Sequence, residues 1–166
     1  MRSRNSSRRS FLKGSAAGTA AAGATVLALN APSAFAKSSA QKKIITRPGQ
    51  PLTPESLFSP ATQLGNLLFL SGSGAQDPAT HKVVEGPIGN QVKQCLENLK
   101  VVLEAAGSSM DKVLKCTVFL ADIGDFAAMN AMYHTYFPAN PPCRTTVAVK
   151  DLPGGSPVEI ECIAYV

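Results

Sequence analysis

Val92, Cys95, Leu96, Leu99, Val102, Leu103 and Ala106 recur at helical spacing, and Gly107 ends the run. A helix with one apolar stripe must lay that stripe on something. The flanking chain names the partner. Ser59–Leu64 and Leu67–Gly72 are short extended runs joined by Gly65-Asn66, a hairpin signal. Asp77-Pro78-Ala79-Thr80 marks a turn into a third short run, Lys82–Glu85. Val113–Leu120 is rich in β-formers. A second helix is predicted over Asp125–Phe137, with Phe126, Met129, Tyr133 and Phe137 on one face and Pro138 as its stop. Thr145–Val149 and Pro157–Val166 read as strands, with a hairpin turn at Pro153-Gly154-Gly155-Ser156. The order β-β-(β)-α-β-α-β-β predicts an α+β two-layer sandwich, a mixed sheet with two helices on one face.

The bare face of that sheet carries its own message. The last strand puts Val158, Ile160, Cys162 and Ala164 on one side, and Glu159, Glu161, Ile163 and Tyr165 on the other. The second set is mixed rather than cleanly polar, which suggests contact between subunits. Residues 56–166 form the predicted domain. Lys37–Glu55, polar and bearing Pro and Gly, reads as a flexible tail.

The start of the chain has a different logic. Ser7-Arg8-Arg9-Ser10-Phe11-Leu12-Lys13 resembles the bacterial twin-arginine pattern S-R-R-x-F-L-K at every specified position. A weakly apolar Gly14–Leu29 follows, and Ala34-Phe35-Ala36 supplies an A-x-A cleavage site. Residues 1–36 are expected to be a signal peptide cut after Ala36, with the Tat translocase as partner and the periplasm as destination. The apolar stretch is too rich in Gly and Ala for a comfortable membrane span, so no stable anchor is expected after cleavage. Its loss changes the charge argument. The whole chain is +5, but residues 1–36 hold five basic residues and no acidic one, which leaves eleven of each. A neutral domain without a basic run argues against nucleic-acid binding.

Few residues are equipped for chemistry. The four cysteines, Cys95, Cys116, Cys143 and Cys162, have no CxxC spacing and do not cluster with His81 and His134, so no zinc site and free thiols are expected. There is no nucleophile elbow, P-loop, GxGxxG or HExxH. After the signal, arginine occurs only at Arg47, in the tail, and at Arg144, which follows Asn140-Pro141-Pro142-Cys143 and begins a strand. A guanidinium fixed there suits bidentate grip on a carboxylate; a surface salt bridge is the competing assignment. Glu159, in an otherwise apolar strand, suits alignment or deprotonation of a water; a structural pair with Arg144 is the alternative.

These stretches together resemble the RidA (YjgF-type) family of imine and enamine deaminases. The resemblance is carried by Gln63–Gly72, by the helix Gln91–Gly107 and by Lys115-Cys116-Thr117-Val118-Phe119-Leu120-Ala121-Asp122. It continues through Asp125-Phe126, Asn130, Tyr133 and Phe137 to Pro142-Cys143-Arg144-Thr145-Thr146-Val147 and Val158-Glu159-Ile160-Glu161. It runs from about Phe58 to Ala164 and is distributed along the chain.

The resemblance implies a chorismate-mutase-like fold, a homotrimer around a central barrel, and sites in the clefts between subunits. It implies that Arg144 binds a substrate carboxylate and that Glu159 orients the hydrolytic water. Phe58, Gly72, Asn130 and Thr146 would line the pocket, Gly72 and Thr146 through their backbones. The implied reaction is hydrolysis of 2-imino acids, such as 2-iminobutanoate and 2-iminopropanoate, to 2-keto acids and ammonia, with no cofactor. Two positions depart from the pattern: Phe58 stands where a tyrosine is usual, and Thr146 where a cysteine is usual. These departures motivate an alternative, a non-catalytic trimeric binder of small carboxylates or keto acids. A chaperone-like or RNA-acting role is the third class, and the balanced charge weighs against RNA.

Overall fold

The computed structural model describes residues 41–166; the signal assigned to residues 1–36 lies outside them. Six strands, β1 (Lys43–Ile45), β2 (Ala61–Leu64), β3 (Leu67–Gly74), β4 (Val113–Leu120), β5 (Cys143–Ala148) and β6 (Val158–Tyr165), form one sheet in the order β1-β2-β3-β6-β4-β5. β4 and β5 run parallel and every other pair is antiparallel. The helices are α1 (Ile88–Ala105) and α2 (Phe126–Tyr136). No helix among the described residues is long and apolar enough to cross a membrane.

α1 forms where the periodicity placed it, for local reasons at both ends. Pro87 caps its start with φ fixed at −67°. At the far end Gly107 adopts φ +78°. The Ser108 N–H then donates to Leu103 O at 2.9 Å and the Gly107 N–H to Glu104 O at 3.0 Å. That pair of bonds is a Schellman termination, and it needs the left-handed residue that glycine supplies without strain.

The helical layer covers one face of the sheet. Val158, Ile160, Cys162 and Ala164 of β6 are buried, as are Cys116, Val118 and Leu120 of β4 and Leu68 and Leu70 of β3. They share one core with Val92, Cys95, Leu96, Leu99, Val102 and Leu103 of α1 and with Met129 and Tyr133 of α2. The opposite face leaves Leu64, Leu67, Phe69, Val147 and Tyr165 exposed. Three cysteines are buried, Cys143 is exposed, and all four are free.

Three local expectations change. The segment read as a tail contains β1, which pairs with β2 and buries Ile45 in the core. Three residues between charged and Pro/Gly-bearing neighbours are too short to show a period. Lys82–Glu85 is not a strand; Val83 makes only an isolated bridge to Gln76. The turn at 153–156 does not close a hairpin, because β5 and β6 are not neighbours. α2 carries the chain over so that β5 joins the outer edge of β4, and β6 returns on the inner edge. The link straddles the end of β4, with the Val149 N–H donating to Leu120 O and the Ala121 N–H to Pro157 O, both at 2.9 Å. Phe126 shares its face of α2 with Met129 and Tyr133, as read, though it is 40% exposed, and all three lie beside Arg144.

Leu96 is fully buried beneath the sheet while Val101, on the same helix, is 41% exposed. Leu96→Ala is therefore expected to cost about 2–5 kcal/mol of folding free energy, and Val101→Ala at most about 0.5. Chemical denaturation of the two variants beside the parent checks the contrast.

Candidate functional site

Arg144 is the second residue of β5, the outermost strand on its side of the sheet. It pairs with Cys116, whose side chain is buried under the helices, so Arg144 lies on the helical face. α2 presents Phe126, Met129, Asn130 and Tyr133 to it at helical spacing. The guanidinium donates to Asn130 Oδ1 at 2.6 Å and approaches Met129 Sδ at 3.8 Å. It stacks on the Tyr133 ring, 4.6 Å from the centroid, and stands 5.8 Å from that of Phe126. Aromatic faces and one amide hold this cation, each cation–π contact contributing about 0.5–2 kcal/mol. None of these partners is a carboxylate, so the charge is positioned without being neutralised. The hollow beside it, lined by Asn130, Tyr133, His134, Phe137, Pro141 and Pro142, encloses about 430 Å³. That is ample for a small organic acid.

Two polar atoms nearby are unsatisfied. Thr146 lies two residues along β5 on the same face, and its buried Oγ1 has no hydrogen-bond partner. The Tyr133 hydroxyl has none beyond the neighbouring Cys116 thiol, and burial pushes its pKa well up, keeping it neutral. Buried hydroxyls without partners are uncommon and mark a place where a ligand or water belongs.

Glu159 lies elsewhere. Phe119 pairs with Glu159 and Cys116 with Arg144, three residues apart on β4, which sets the two side chains on opposite faces of the sheet. Within one chain the structural Arg144–Glu159 pair is therefore not formed. The Glu159 carboxylate lies against the backbone of Gly72, where an added Cβ would stand 2.0 Å from Oε1. Gly72 falls in the irregular stretch between Leu70 and Ser73, where the β3–β6 register shifts. Burial raises the Glu159 pKa, and the Glu161 carboxylate on the same face adds to it.

Phe58, just before β2, is 68% exposed. It lines a second cavity, of about 220 Å³, with Gly72, Gly74, Gln76, Asn98 and Arg47. The six expected residues thus fall into two groups, Arg144 with Asn130 and Thr146, and Glu159 with Gly72 and Phe58. One chain does not bring the two groups into a single pocket.

Sequence reasoning missed Arg47, Gln76 and Asn98 as cavity residues. Arg47 was hidden by the tail assignment. Asn98 had a readable signal: with Gln91 it interrupts the apolar stripe of α1, and buried amides there must serve a backbone. Asn98 Nδ2 donates to Gly74 O at 3.2 Å and Gln76 O at 2.9 Å, holding the end of β3 to the helix.

Comparison with known proteins adds an independent line. The family model described as endoribonuclease L-PSP matches residues 49–166, and a twin-arginine translocation signal model matches residues 5–25. The 2-iminobutanoate/2-iminopropanoate deaminase of Rattus norvegicus is 42% identical over 107 residues, covering 64% of this chain and 78% of that protein. The namesake from Dermatophagoides farinae is 38% identical over 127 residues, 75% and 97% of the two chains. The solved structure of the YjgF gene product from E. coli superposes with a TM-score of 0.67 at 35% identity, covering 74% of this chain and 98% of its own.

The raised Glu159 pKa has a measurable consequence. The folded state holds that proton above the ordinary glutamate value of about 4.3, where the unfolded chain has released it. The folded state then binds more protons, so this group's contribution falls as pH rises from that value through the raised one. Thermal unfolding across this window is expected to show the parent losing stability relative to Glu159→Gln as pH increases.

Proposed function

The chain belongs to the endoribonuclease L-PSP family, the RidA/YjgF family, and on that premise we propose that it is a hydrolytic deaminase of 2-imino acids that works as an exported homotrimer. The observation that carries this reading is the Arg144 guanidinium, held by Asn130, Tyr133 and Phe126 with no carboxylate among its partners in the described residues. A cation arranged in this way is ready for an incoming carboxylate.

The chemistry follows from the groups at hand. A 2-imino acid carries a carboxylate beside an electrophilic C=N carbon. Arg144 fixes the carboxylate and so presents the carbon to one water. Glu159, as the carboxylate, takes a proton from that water as the new C–O bond forms. Returning that proton to nitrogen gives the carbinolamine; its hydroxyl proton then passes to nitrogen through Glu159 as the C–O bond becomes C=O, the C–N bond breaks, and ammonia leaves a 2-keto acid. Every atom comes from the imine and one water. Glu159 and Arg144 face opposite ways within a chain, so the site is completed by Arg144, Asn130 and Thr146 of one copy and Phe58, Gly72 and Glu159 of the next.

The bare sheet face supports the assembly. Leu67 pairs with Tyr165 and Phe69 with Ile163, so the exposed apolar side chains are contiguous across β3 and β6. Copies packed through this face would bury it around a central barrel. The segment 1–36 would direct the protein to the Tat translocase and be removed after Ala36 in the periplasm. The family description speaks of an endoribonuclease, but residues 37–166 balance eleven basic against eleven acidic residues, which weighs against RNA as the partner.

Phe58 and Thr146 favour one second reading, a trimeric binder of keto acids without turnover. A single assay separates the two. An amino-acid oxidase generates 2-iminobutanoate or 2-iminopropanoate in the presence of residues 37–166, and imine loss is followed. Acceleration is expected, with Glu159→Gln and Arg144→Ala each lowering it by about 10²-fold or more. No acceleration with any of several imino acids, alongside keto-acid stabilisation that requires Arg144, selects the binder.

Assembly has its own check. Phe69→Glu is expected to reduce the mass measured by light scattering from three chains to one, with helical circular dichroism retained and deaminase activity lost.

A further inference from the structure

The cavity that Phe58 and Gly72 share with Arg47 carries a cation and polar side chains beside its apolar walls. Its other lining residues include Gln50, Gln76, His81 and Asn98. An alkyl group seated there would leave the Arg47 guanidinium and the Gln76 amide desolvated without a bonding partner, which costs free energy. Arg47 is the feature that sets the sign. It is half-buried, and desolvation alone lowers its pKa, with no carboxylate offsetting the loss among the described residues. Asp77 also lines the cavity, but its Oδ1 is occupied by the Ala79 N–H at 2.8 Å, the Thr80 N–H at 2.9 Å and the Thr80 hydroxyl at 3.3 Å, with His81 beside it.

Gln76 is held toward this space by missing side chains. A Cβ on Gly74 would stand 2.5 Å from Gln76 Oε1, and one on Gly154 would stand 2.7 Å from Nε2. Two glycines thus leave a slot for one amide, which makes no side-chain hydrogen bond to the described residues. The floor of the cavity reaches Gly72, against which the Glu159 carboxylate lies.

We propose that Arg47, with Gln76 beside it, grips a second carboxylate, and that the substrate class is 2-imino dicarboxylic acids, the imines of acidic amino acids. The inference rests on the deaminase reading and deepens it. Arg144 takes the carboxylate next to the imine carbon, Glu159 governs the water, and Arg47 receives the distal carboxylate. Arg47 is a specificity residue, and the hydrolysis is the one already written. Such an imine is the direct product of two-electron oxidation of an acidic amino acid at its α-carbon, the class of reaction that would supply it.

The test compares 2-iminosuccinate, generated with an aspartate oxidase, against 2-iminobutanoate. The parent is expected to show the higher kcat/KM on the dicarboxylic imine. Arg47→Gln is expected to lower the ratio of the two kcat/KM values by about tenfold or more, chiefly through KM, while Arg47→Lys restores part of it. Melting temperatures of both variants confirm that they fold. A ratio unchanged by Arg47→Gln, or a parent that hydrolyses 2-iminobutanoate alone, overturns this inference and leaves the deaminase reading standing. A parent that hydrolyses neither imine overturns the deaminase reading. Calorimetric titration with 2-oxoglutarate and 2-oxobutanoate then decides: a dicarboxylate preference lost in Arg47→Gln supports the role of Arg47, and no preference overturns it.

Discussion

Everything in this domain depends on α1 lying across the dry face of β6. Val158, Ile160, Cys162 and Ala164 are buried almost completely under the helix layer. At about 1.5–3 kcal/mol for each large apolar side chain, this contact fixes the strand register firmly. A strand with period two then has no choice about its other residues. Glu159 must face away from the helices, toward the side that no helix of the described residues covers. One contact therefore sets the core, the bare face and the direction of the candidate base.

The same periodicity explains what could be read from the sequence. α1 and β6 were legible because each keeps one period over many residues, and β4 because it is rich in β-formers. β1 was not, because three residues among polar and Pro/Gly-bearing neighbours carry no period. The β5–β6 link was misread for a different reason. Pro153-Gly154-Gly155-Ser156 has the chemistry of a tight turn, and Gly154 and Gly155 do take positive φ. Turn chemistry reports that the chain reverses; it does not report which strand it comes to lie beside. Only the parallel β4–β5 pairing, imposed by the α2 crossover, places β4 between the two.

For the candidate site, legibility followed residue type. Arg144 and Glu159 stood out because a lone cation after two prolines and a carboxylate in an apolar strand are each anomalous in place. Their separation onto opposite faces was implicit in the alternation, but it needed the register of both strands against β4. Arg47 was set aside with the segment read as a tail, and Gln76 was invisible, because what marks it is the space around it. Gly72, Gly74 and Gly154 each hold open a volume that a carboxylate or an amide occupies. A glycine in a strand reads as a weakness until the atom filling its missing side chain is known.

Separation of the two groups bears on export. Under the proposal, a single folded chain holds Arg144 and Glu159 in half-sites with their functional atoms on opposite faces, so it cannot complete a reaction by itself. The bare apolar face has the same property, being stable in water only at a cost that assembly removes. A twin-arginine route accepts folded chains, so the domain can cross the membrane with its core already made. In the proposed trimer, the site and the sheet face would be completed by one and the same event, the packing of copies through β3 and β6. Activity and apolar burial become coupled: any substitution that weakens the shared face dismantles the site without touching a residue in it.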